Sequence, residues 1–495
     1  MDGEALSWKA QTLGEVLANR RGEALVTRSD RFTYEDLLGR AKNAAGAMQR
    51  MGIGHGDHVG ILMGNDEKWL TLFYGAALIG AVTVPVNTRL KSDEIRYCIE
   101  QADCEALFYV ERFLNIDFAP MVRGLSIPKV EVSRAVPQGK FSPVKVEPDD
   151  LLLIQFTSGT TAHPKGAMLT HDNMLRDAWA AGTRVGIRAD DRYFNCRPFF
   201  HVAGSTLSAL MALVAGATLV TLPTFEAGAA LELMEREKCT LVSGNDTIFQ
   251  MLMGHEDFPK RKLSLRGGWA AAGPQTMRRI IDVLGAKGIC AAYGLSEASP
   301  NVVMSDWRDP EELRVNGLPK PHDGVEVRIQ EGEIQVRGWN VMKGYYNNPE
   351  ANAKAFTADG WLRTGDLGEL TADGRLRMVG RLKDVFRVGG ENVAPAEVEE
   401  VLLAHPAVET AQVIGVPDER LGEVPCAYVT LKAGFSVSEN DLTQFCKAKC
   451  ANFRVPRYLR IVKDFESIGM TASGKVQKTK LREHALREFA LNRES

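Results

Sequence analysis

The sequence predicts an α/β protein. We expect a large N-terminal domain of stacked α/β sheets, a β-barrel-like subdomain, and a small α+β C-terminal domain. The chain has 495 residues, which is too long for a single small core. Its first half alternates strand and helix signals, a pattern typical of largely parallel sheets. From Gly324 apolar residues alternate with polar ones, as in short antiparallel strands, and a separate helix and strand pattern begins beyond Lys383.

The composition excludes some classes of function. Hydrophobic residues make up 45% of the chain, charged residues 25%, and the net charge is −3. This near balance argues against a nucleic-acid partner, which normally requires a basic excess. The acidic N-terminus lacks the pattern of a secretory signal, and the most apolar stretch, 207–222, is short for a membrane span. None of the eight cysteines forms a Cys-x-x-Cys pair, so we expect a reducing, cytoplasmic setting.

The first 150 residues predict alternating elements. A helix should begin at Thr33, with Asp36 as its capping partner, and end at Gly52. Residues 123–148 are rich in Pro, Val, Lys and Ser and are interpreted as a surface excursion. The other predicted elements are strands at 24–27, 58–63, 82–86 and 106–110, and helices at 66–79 and 93–101.

An apolar strand at 151–156 leads into the segment from Thr157 to Gly166. Its hydroxyl groups and bare backbone N–H groups can donate hydrogen bonds to phosphates, and Lys165 adds a positive charge. It is not a Walker loop, because no glycine precedes the lysine and no Ser or Thr follows it. We interpret it as a phosphate-binding loop; the alternative is a Thr/Ser-rich surface turn.

A second segment, Arg197 to Gly204, places His201 between aromatic residues and a helix start. His201 is interpreted as a wall or gate of a substrate pocket, and the alternative is a packed histidine that caps a helix. A buried helix and then a buried strand are expected over 207–222, within a second βα alternation that runs to residue 253.

Two further segments suit a nucleotide. Residues 267–274 present almost no side chains, so a flat ring could lie against their backbone. In the segment from Ala291 to Glu297, Tyr293 could stack on a base and Glu297 could hold a metal near phosphates. The alternative for the latter is an ordinary Tyr-Gly turn with a solvated glutamate.

The last third of the chain predicts antiparallel strands and then a small domain. Asp366 and Arg381 lie at turns and could bind the two hydroxyls of a ribose; the alternative is a pair of turn-stabilising charges. Expected strands are 325–329, 334–336, 376–379, 408–416, 427–431 and 459–462, and expected helices are 397–404 and 439–450.

Taken together, these motifs resemble the adenylate-forming (AMP-binding) superfamily, in its acyl-CoA synthetase branch. The matching blocks, in family order, are Thr157 to Gly166, Pro198 to Gly204, Tyr293 to Glu297, Gly332 to Tyr345, Thr364 to Gly368, Gly380 to Asp384, Gly389 to Glu399 and Thr471 to Lys475.

The resemblance implies roles for particular residues. Lys475 would be the catalytic lysine, with Glu297, Thr161 and His201 also in the catalytic set, and Glu297 and Thr161 would bind Mg²⁺. The ATP phosphates would be bound by Thr157, Ser158, Gly159, Thr160, Thr161 and Lys165. The rest of the nucleotide would be bound by Ala271, Ala272, Gly273, Ala292, Tyr293, Gly294, Ser296, Asp366 and Arg381. Three positions depart from the family pattern: Ala162 stands for glycine, Ser296 for threonine and Gly469 for proline.

The resemblance also implies the domain organisation and the reaction. Residues 1–380 would form the adenylation domain, 381–383 a hinge at Lys383, and 384–495 the mobile domain that carries Lys475. The loop of Gly389, Gly390 and Glu391 would serve the thioester step. With ATP, Mg²⁺ and coenzyme A, the enzyme would convert a carboxylic acid to an acyl-adenylate and then to an acyl-CoA.

Several alternatives stay open. The acyl group could pass instead to an amine or a carrier protein, or the chain could be a non-catalytic protein that binds AMP or an acyl-adenylate. The acid is expected to be medium-chain, alicyclic or aromatic, as in fatty acid metabolism, because the segments 178–182 and 270–272 and the helix after His201 are small and apolar. A basic anchor for a second carboxylate is not evident. A homodimer is among the assemblies that the sequence leaves open.

Overall fold

A computed structural model describes residues 8–157, 164–432, 434–470 and 476–491. The chain forms two compact units. One consists of Met1–Val327 and Val336–Leu362, and the other of Arg328–Gln335 and Arg363–Ser495. Among the described residues, the helices are too short or too polar to cross a membrane. The predicted mixed α/β fold, with a large N-terminal and a smaller C-terminal part, is confirmed.

A nine-stranded sheet lies in the first unit. Its middle strands pair in parallel, and the strands near its two edges pair antiparallel. In order across the sheet the strands are Lys320–Pro321, Asn301–Met304, Gly288–Gly294, Gly267–Ala271, Leu241–Asn245, Arg192–Asn195, Thr218–Thr221, Glu23–Val26 and Arg31–Thr33.

A six-stranded sheet is the other large sheet of this unit. In order across it the strands are Gly166–Thr170, Leu151–Phe156, Val82–Pro85, His58–Leu62, Cys104–Tyr109 and Lys129–Glu131. The last of these corrects the interpretation of 123–148 as a surface excursion throughout, because Lys129–Glu131 pairs in parallel with Cys104–Tyr109 as an edge strand. Only Val130 of its three residues is apolar, which is too little for a periodic pattern. A small hairpin joins Arg112–Phe113 to Ile116–Asp117.

Helices surround both sheets of the first unit. The predicted capping pair is confirmed: Thr33 accepts a hydrogen bond from the backbone N–H of Asp36, whose side chain bonds back to the Thr33 N–H. The helices of this unit are Leu13–Ala18, Tyr34–Arg50, Glu67–Leu78, Ser92–Gln101, Ala119–Val122, His171–Val185, Val202–Gly204, Ser205–Leu210 (a π-helix), Met211–Ala215, Ala227–Arg236, Asp246–Gly254, Phe258–Lys260, Pro274–Asp282, Ser296–Ala298, Glu311–Val315 and Pro349–Ala355.

The core of the first unit forms around helix Glu67–Leu78, which packs along helix Tyr34–Arg50. Trp69 and Phe73 are fully buried, and the Trp69 ring also lies 5.4 Å from the ring of Phe199. Burial of large rings removes much apolar surface from water and is the main stabilising contribution here. Because Phe199 precedes His201 by two residues, this packing also anchors the His201 segment to the core.

A four-stranded sheet contains the chain positions at which the two units divide. Its strands, in order, are Val325–Gln330, Glu333–Gly338, Leu362–Leu370 and Leu376–Arg381. The antiparallel alternation predicted from Gly324 onward corresponds to these strands. The predicted hinge residues follow directly, at the end of Leu376–Arg381 and in the short turn Leu382–Asp384.

The rest of the second unit is α+β. Its sheet has the strand order Glu391–Val393, Phe386–Val388, Gly422–Leu431 and Val408–Asp418, with Tyr458–Ile461 paired to Gly422–Leu431. The helices are Pro395–Leu403, Glu439–Lys449, Asn452–Arg454 and Lys478–Glu488. The predicted elements at 397–404, 408–416, 427–431, 439–450 and 459–462 therefore all occur.

Candidate active site

The predicted phosphate loop connects two antiparallel strands. The backbone N–H of Thr157 donates to the carbonyl oxygen of Lys165 at 2.9 Å, and Leu151–Phe156 pairs with Gly166–Thr170 on either side of the loop. The loop therefore leaves and re-enters the sheet at the same place. Four predicted phosphate-binding residues, Ser158, Gly159, Thr160 and Thr161, lie outside the described residues, as does Ala162.

Lys165 lies beside Tyr345. The segment 343–346 is bound along Gly166–Thr170, with backbone bonds from Met168 N–H to Gly344 O and from Tyr346 N–H to Gly166 O. This pairing places the Tyr345 ring 5.1 Å from the Lys165 Nζ, at cation–π distance.

The same tyrosine binds Glu297. Its hydroxyl donates to Glu297 Oε1 at 2.8 Å, and the Met342 N–H donates to the Glu297 carbonyl oxygen. Burial raises the pKa of Tyr345, and the charge of Glu297 raises it further, so the hydroxyl stays protonated and remains a donor. The structure thus brings together two predicted site residues that are far apart in the chain.

Tyr293, Gly294 and Ser296 lie at the end of strand Gly288–Gly294 and in the turn that contains Glu297. Gly294 is required for close packing, because a Cβ atom there would lie 1.9 Å from the carbonyl oxygen of Pro300. The Leu295 N–H donates to that same oxygen. This contact fixes the turn that orients Tyr293 and Glu297.

The predicted adenine-binding residues lie at the carboxyl ends of parallel strands. Gly267–Ala271 pairs in parallel with Gly288–Gly294, so Ala271, Ala272 and Gly273 end beside Ala292 and its neighbours. Gly273 is held by a hydrogen bond from its N–H to the Asp246 carboxylate at 3.1 Å. The carboxyl edge of parallel strands is where open α/β sheets bind ligands.

His201 caps the short helix that follows it. Its Nδ1 accepts from the Ala203 N–H at 3.1 Å, so the ring proton lies on Nε2. Burial, with a smaller contribution from the charge of Arg197, lowers the pKa of His201 to about 4, and the ring is neutral near pH 7. His201 therefore caps a helix, as the alternative interpretation predicted. Its role at a substrate pocket stays a prediction. The π-helix Ser205–Leu210 follows at once, a form often found at functional sites.

In the second unit, Asp366 and Arg381 lie opposite each other. They are direct partners in the antiparallel register, and Arg381 Nε lies 3.2 Å from Asp366 Oδ1. Asp366 is buried and Arg381 is exposed. The pair presents an acceptor and a donor set at one place, which suits vicinal hydroxyls, although ribose binding stays a prediction.

The predicted thioester loop forms the tip of a hairpin. Gly389 and Gly390 connect Phe386–Val388 to Glu391–Val393, with φ angles of 59° and 98°. Both angles lie in the left-handed region that favours glycine. Lys383 is exposed in the preceding turn, Leu382–Asp384, and partial desolvation of its amine lowers its pKa.

Lys475 lies outside the described residues, within 471–475. The ends of that segment are close together, because Met470 and Val476 form an antiparallel bridge and the Gln477 N–H donates to Gly469 O at 3.1 Å. Gly469 has a φ of 143°, which the ring of a proline cannot adopt.

The carboxylates among the described residues are consistent with a Mg²⁺ ion that is bound mainly by the phosphates of the nucleotide. Mg²⁺ is normally bound by one or two carboxylates together with phosphates and water. Glu297 provides one, and its Oε2 lies outside the hydrogen bond to Tyr345. Over the described ranges, no cluster of three or more His, Cys, Asp or Glu side chains is arranged around a metal position. The residues present therefore fit Mg²⁺ bound through the nucleotide.

Tyr345 is a residue of the candidate site that sequence reasoning missed. It ends one of the matching family blocks, but no role was assigned to it. The sequence offered one signal for it, a tyrosine that follows a glycine and belongs to no apolar periodicity. Its partner 48 positions earlier in the chain could not be read from local spacing.

Comparisons with known proteins agree with this geometry. The AMP-binding enzyme family matches residues 15–346, and the AMP-binding enzyme C-terminal domain matches residues 397–475. A Rhodococcus jostii CoA ligase, named for a propanoyl group with a 7a-methyl-1,5-dioxo-octahydro-1H-inden-4-yl substituent, is 36% identical over 97% of this chain and 98% of its own.

Two more relatives extend the comparison. The mitochondrial medium-chain acyl-CoA ligase ACSF2 of Danio rerio is 31% identical over 97% of this chain and 88% of its own. The crystal structure of the anthranilate CoA ligase AuaEII in complex with anthranoyl-AMP is similar with a TM-score of 0.88 at 27% identity, over 97% of this chain and 98% of that one.

Proposed function

The chain belongs to the AMP-binding enzyme family, and we propose that the residues described above carry out the reaction of an acyl-CoA ligase. The protein is an ATP-dependent, AMP-forming acid–CoA ligase. It uses ATP, CoA and a small carboxylic acid. The observation that carries the assignment of residues is the contact of Tyr345 with both Lys165 and Glu297, which supports a single phosphate and metal site in the first unit.

The chemistry accounts for these residue types. A carboxylate is a poor electrophile, and its attack on the α-phosphate of ATP brings two anions together. Lys165 and Lys475 supply positive charge to that encounter, and Thr157 to Thr161 donate hydrogen bonds to the phosphates. Mg²⁺, when bound beside Glu297 and Thr161, supplies further charge neutralisation. The product is an acyl-adenylate, and pyrophosphate leaves.

The nucleoside is held by the remaining predicted residues. Tyr293 stacks on the adenine, which lies against the backbone of 271–273, and Asp366 and Arg381 bind the ribose hydroxyls. The parallel strand ends and the Asp366–Arg381 register support these roles.

The second half-reaction needs a different set of groups at the same adenylate. We propose that residues 381–383 act as a hinge between an adenylation domain, 1–380, and a mobile domain, 384–495. Rotation about Lys383 exchanges the Lys475 segment for the loop of Gly389, Gly390 and Glu391, and the CoA thiol then displaces AMP.

The acid is proposed to be medium-chain, alicyclic or aromatic. The relatives named for a medium-chain acid, a bicyclic propanoate and anthranilate support this range. Helix His171–Val185 packs against the π-helix after His201, and Ala178, Ala181 and Ala270 are buried small residues on these elements or the neighbouring sheet. We assign these small side chains to the wall of the acyl pocket, where they would accommodate an apolar chain or ring.

The test is release of pyrophosphate and AMP with a panel of carboxylic acids, with and without CoA. We expect AMP formation that depends on both an acid and CoA. If no acid supports CoA-dependent AMP formation, the assignment of CoA as acceptor is wrong.

The same assay separates the alternatives. Transfer to an amine or carrier protein would give adenylate without CoA-dependent turnover, and turnover on addition of that acceptor. A non-catalytic AMP-binding protein would release no pyrophosphate with any acid. A reducing, cytoplasmic setting is proposed as well, supported by the eight unpaired cysteines.

A further inference from the structure

Arg197 is a half-buried arginine of the first unit, and no acidic side chain among the described residues pairs with it. Its Nε atom is buried and has no hydrogen-bond partner. Within the described ranges its guanidinium makes neither a hydrogen bond nor an ion pair. Other arginines of this unit differ: Arg192 pairs with Glu237, and Arg266 with the buried Asp191.

Arg197 and His201 are both half-buried. Burial lowers the pKa of Arg197 and that of His201, yet both side chains keep partial access to solvent. A group in the packed core would have lost that access. Arg197 and His201 lie four positions apart in the same segment, and the charge of Arg197 contributes to the lowered pKa of His201.

The backbone at Arg197 is held rigidly. Its carbonyl oxygen accepts from the side-chain amides of Asn195, at 2.8 Å, and Asn65, at 2.9 Å, and its N–H donates to Asn195 Oδ1. Gly204 lets this segment close on itself, because a Cβ atom there would lie 2.1 Å from Pro198 O. The backbone at Arg197 is therefore fixed before any ligand binds, while its guanidinium has no partner among the residues that the structure describes.

A buried charge without a partner is unfavourable, and an anion that binds beside it compensates it. We propose that Arg197 binds a carboxylate of the acid substrate beside His201. The planar guanidinium can bind a carboxylate through two parallel hydrogen bonds. This inference rests on the proposed function, and it names a candidate for the basic anchor that was not evident in the sequence.

The carboxylate has two sources: the group that reacts with ATP, or a second carboxylate of a dicarboxylic acid. Hexanoate and hexanedioate, which have equal chain length, distinguish them. We expect Arg197→Met to lower kcat/KM for the acid by about tenfold or more, since a hydrogen bond to a charged group is lost, with the KM for ATP unchanged. Loss with both acids identifies the reacting carboxylate, and loss with hexanedioate alone identifies a second one.

Arg197→Lys keeps the charge and should recover part of the lost kcat/KM. Arg308→Met removes an exposed arginine of the same unit and should leave both acids unaffected. Unchanged kcat/KM in Arg197→Met, or a changed KM for ATP instead, overturns the proposal. Wild-type protein without CoA-dependent AMP formation on any acid would instead refute the proposed function, so the two failures are distinguishable.

Thermal denaturation gives a second readout. Without ligand, Arg197→Met should melt no lower than the wild type, because it removes an uncompensated charge, and it should lose the rise in melting temperature that hexanoate or hexanedioate produces with ATP. A lower melting temperature together with an intact acid-induced rise would show that Arg197 is only structural.

Discussion

The Tyr345 hydroxyl donates a hydrogen bond to Glu297, with 2.8 Å between the two oxygen atoms. The ring of the same tyrosine also contacts a cation, because Lys165 Nζ lies 5.1 Å from the Tyr345 ring centroid. The Tyr345 side chain therefore sets the spacing between Lys165 and Glu297. Lys165 is the predicted phosphate contact, and Glu297 is the predicted metal ligand.

Replacement of Tyr345 by phenylalanine should weaken the metal site while it keeps the ring beside Lys165. Loss of a hydrogen bond to a charged group costs about 1.5–3 kcal/mol, so we expect kcat/KM to fall by about tenfold or more. The Mg²⁺ concentration for half-maximal pyrophosphate release should rise. Tyr346→Phe is the matched control, since that hydroxyl donates to the exposed Asp103. Equal effects of the two substitutions would contradict this role.

Lys475→Ala should cripple adenylation and spare the second half-reaction. A positive charge that stabilises the transition state is worth about 10²–10³ in rate, and the thioester step uses a different loop. The two steps are measured as acid-dependent pyrophosphate release and as acyl-CoA formation from supplied acyl-adenylate. Lys463→Ala, at an exposed lysine of the same unit, is the control. Equal loss of both steps would refute the assignment.

Lys383→Pro should impair thioester formation more than adenylation, because proline restricts the backbone of the proposed hinge. Lys383→Ala removes the side chain without that restriction and is the control. The same two half-reactions are measured. An unchanged rate of thioester formation in Lys383→Pro would rule out a hinge at this residue.

Stability should fall as the pH falls from about 6.5 towards 4. Burial lowers the pKa of His171 and of His201 to about 4 and that of His322 to about 3. In this window the unfolded chain binds these protons and the folded chain does not, so each histidine costs about 1.4 kcal/mol of stability per pH unit. Melting temperatures from pH 7 to 5 test this. His322→Gln should flatten the dependence, because it removes one of these titrating groups; the same slope in the wild type and the variant would contradict the prediction.

Thiol reactivity should be confined to one cysteine. All eight cysteines are free, and seven are buried, whereas Cys450 is half-buried. Burial raises the pKa of Cys98, Cys196, Cys239, Cys290, Cys426 and Cys446 to about 12, so little thiolate exists near pH 7. A chromogenic disulfide reagent should modify about one thiol in native protein and eight after denaturation. Rapid modification that persists in Cys450→Ser would contradict this.

Local sequence explains much of the fold. The capping pair of Thr33 and Asp36, the strand before Thr157 and the glycines of the hairpin at Gly389 and Gly390 follow from hydrogen bonds and backbone preferences within a few residues. The edge strand Lys129–Glu131 does not follow from local sequence. Pairing with its partner strand stabilises it, and its own residue pattern does not predict it.

Gly469 is a second position at which the sequence and the structure lead to different conclusions. Sequence comparison with the family pattern suggests a looser loop where proline is replaced. The φ of 143° instead shows a backbone conformation that proline cannot adopt, so the two residues imply different loop paths. The effect of this difference on the Lys475 segment stays a prediction.

The sequence by itself determined the order of elements, the family and the types of residue that the chemistry needs, because these depend on local patterns and on motifs in a fixed order. The tertiary structure alone decided that Tyr345 binds Glu297, that Asp366 lies opposite Arg381, and that the Arg197 Nε atom is buried with no hydrogen-bond partner among the described residues. Such relationships depend on strand register and on packing between segments distant in the chain, and no local pattern records the burial of a charge.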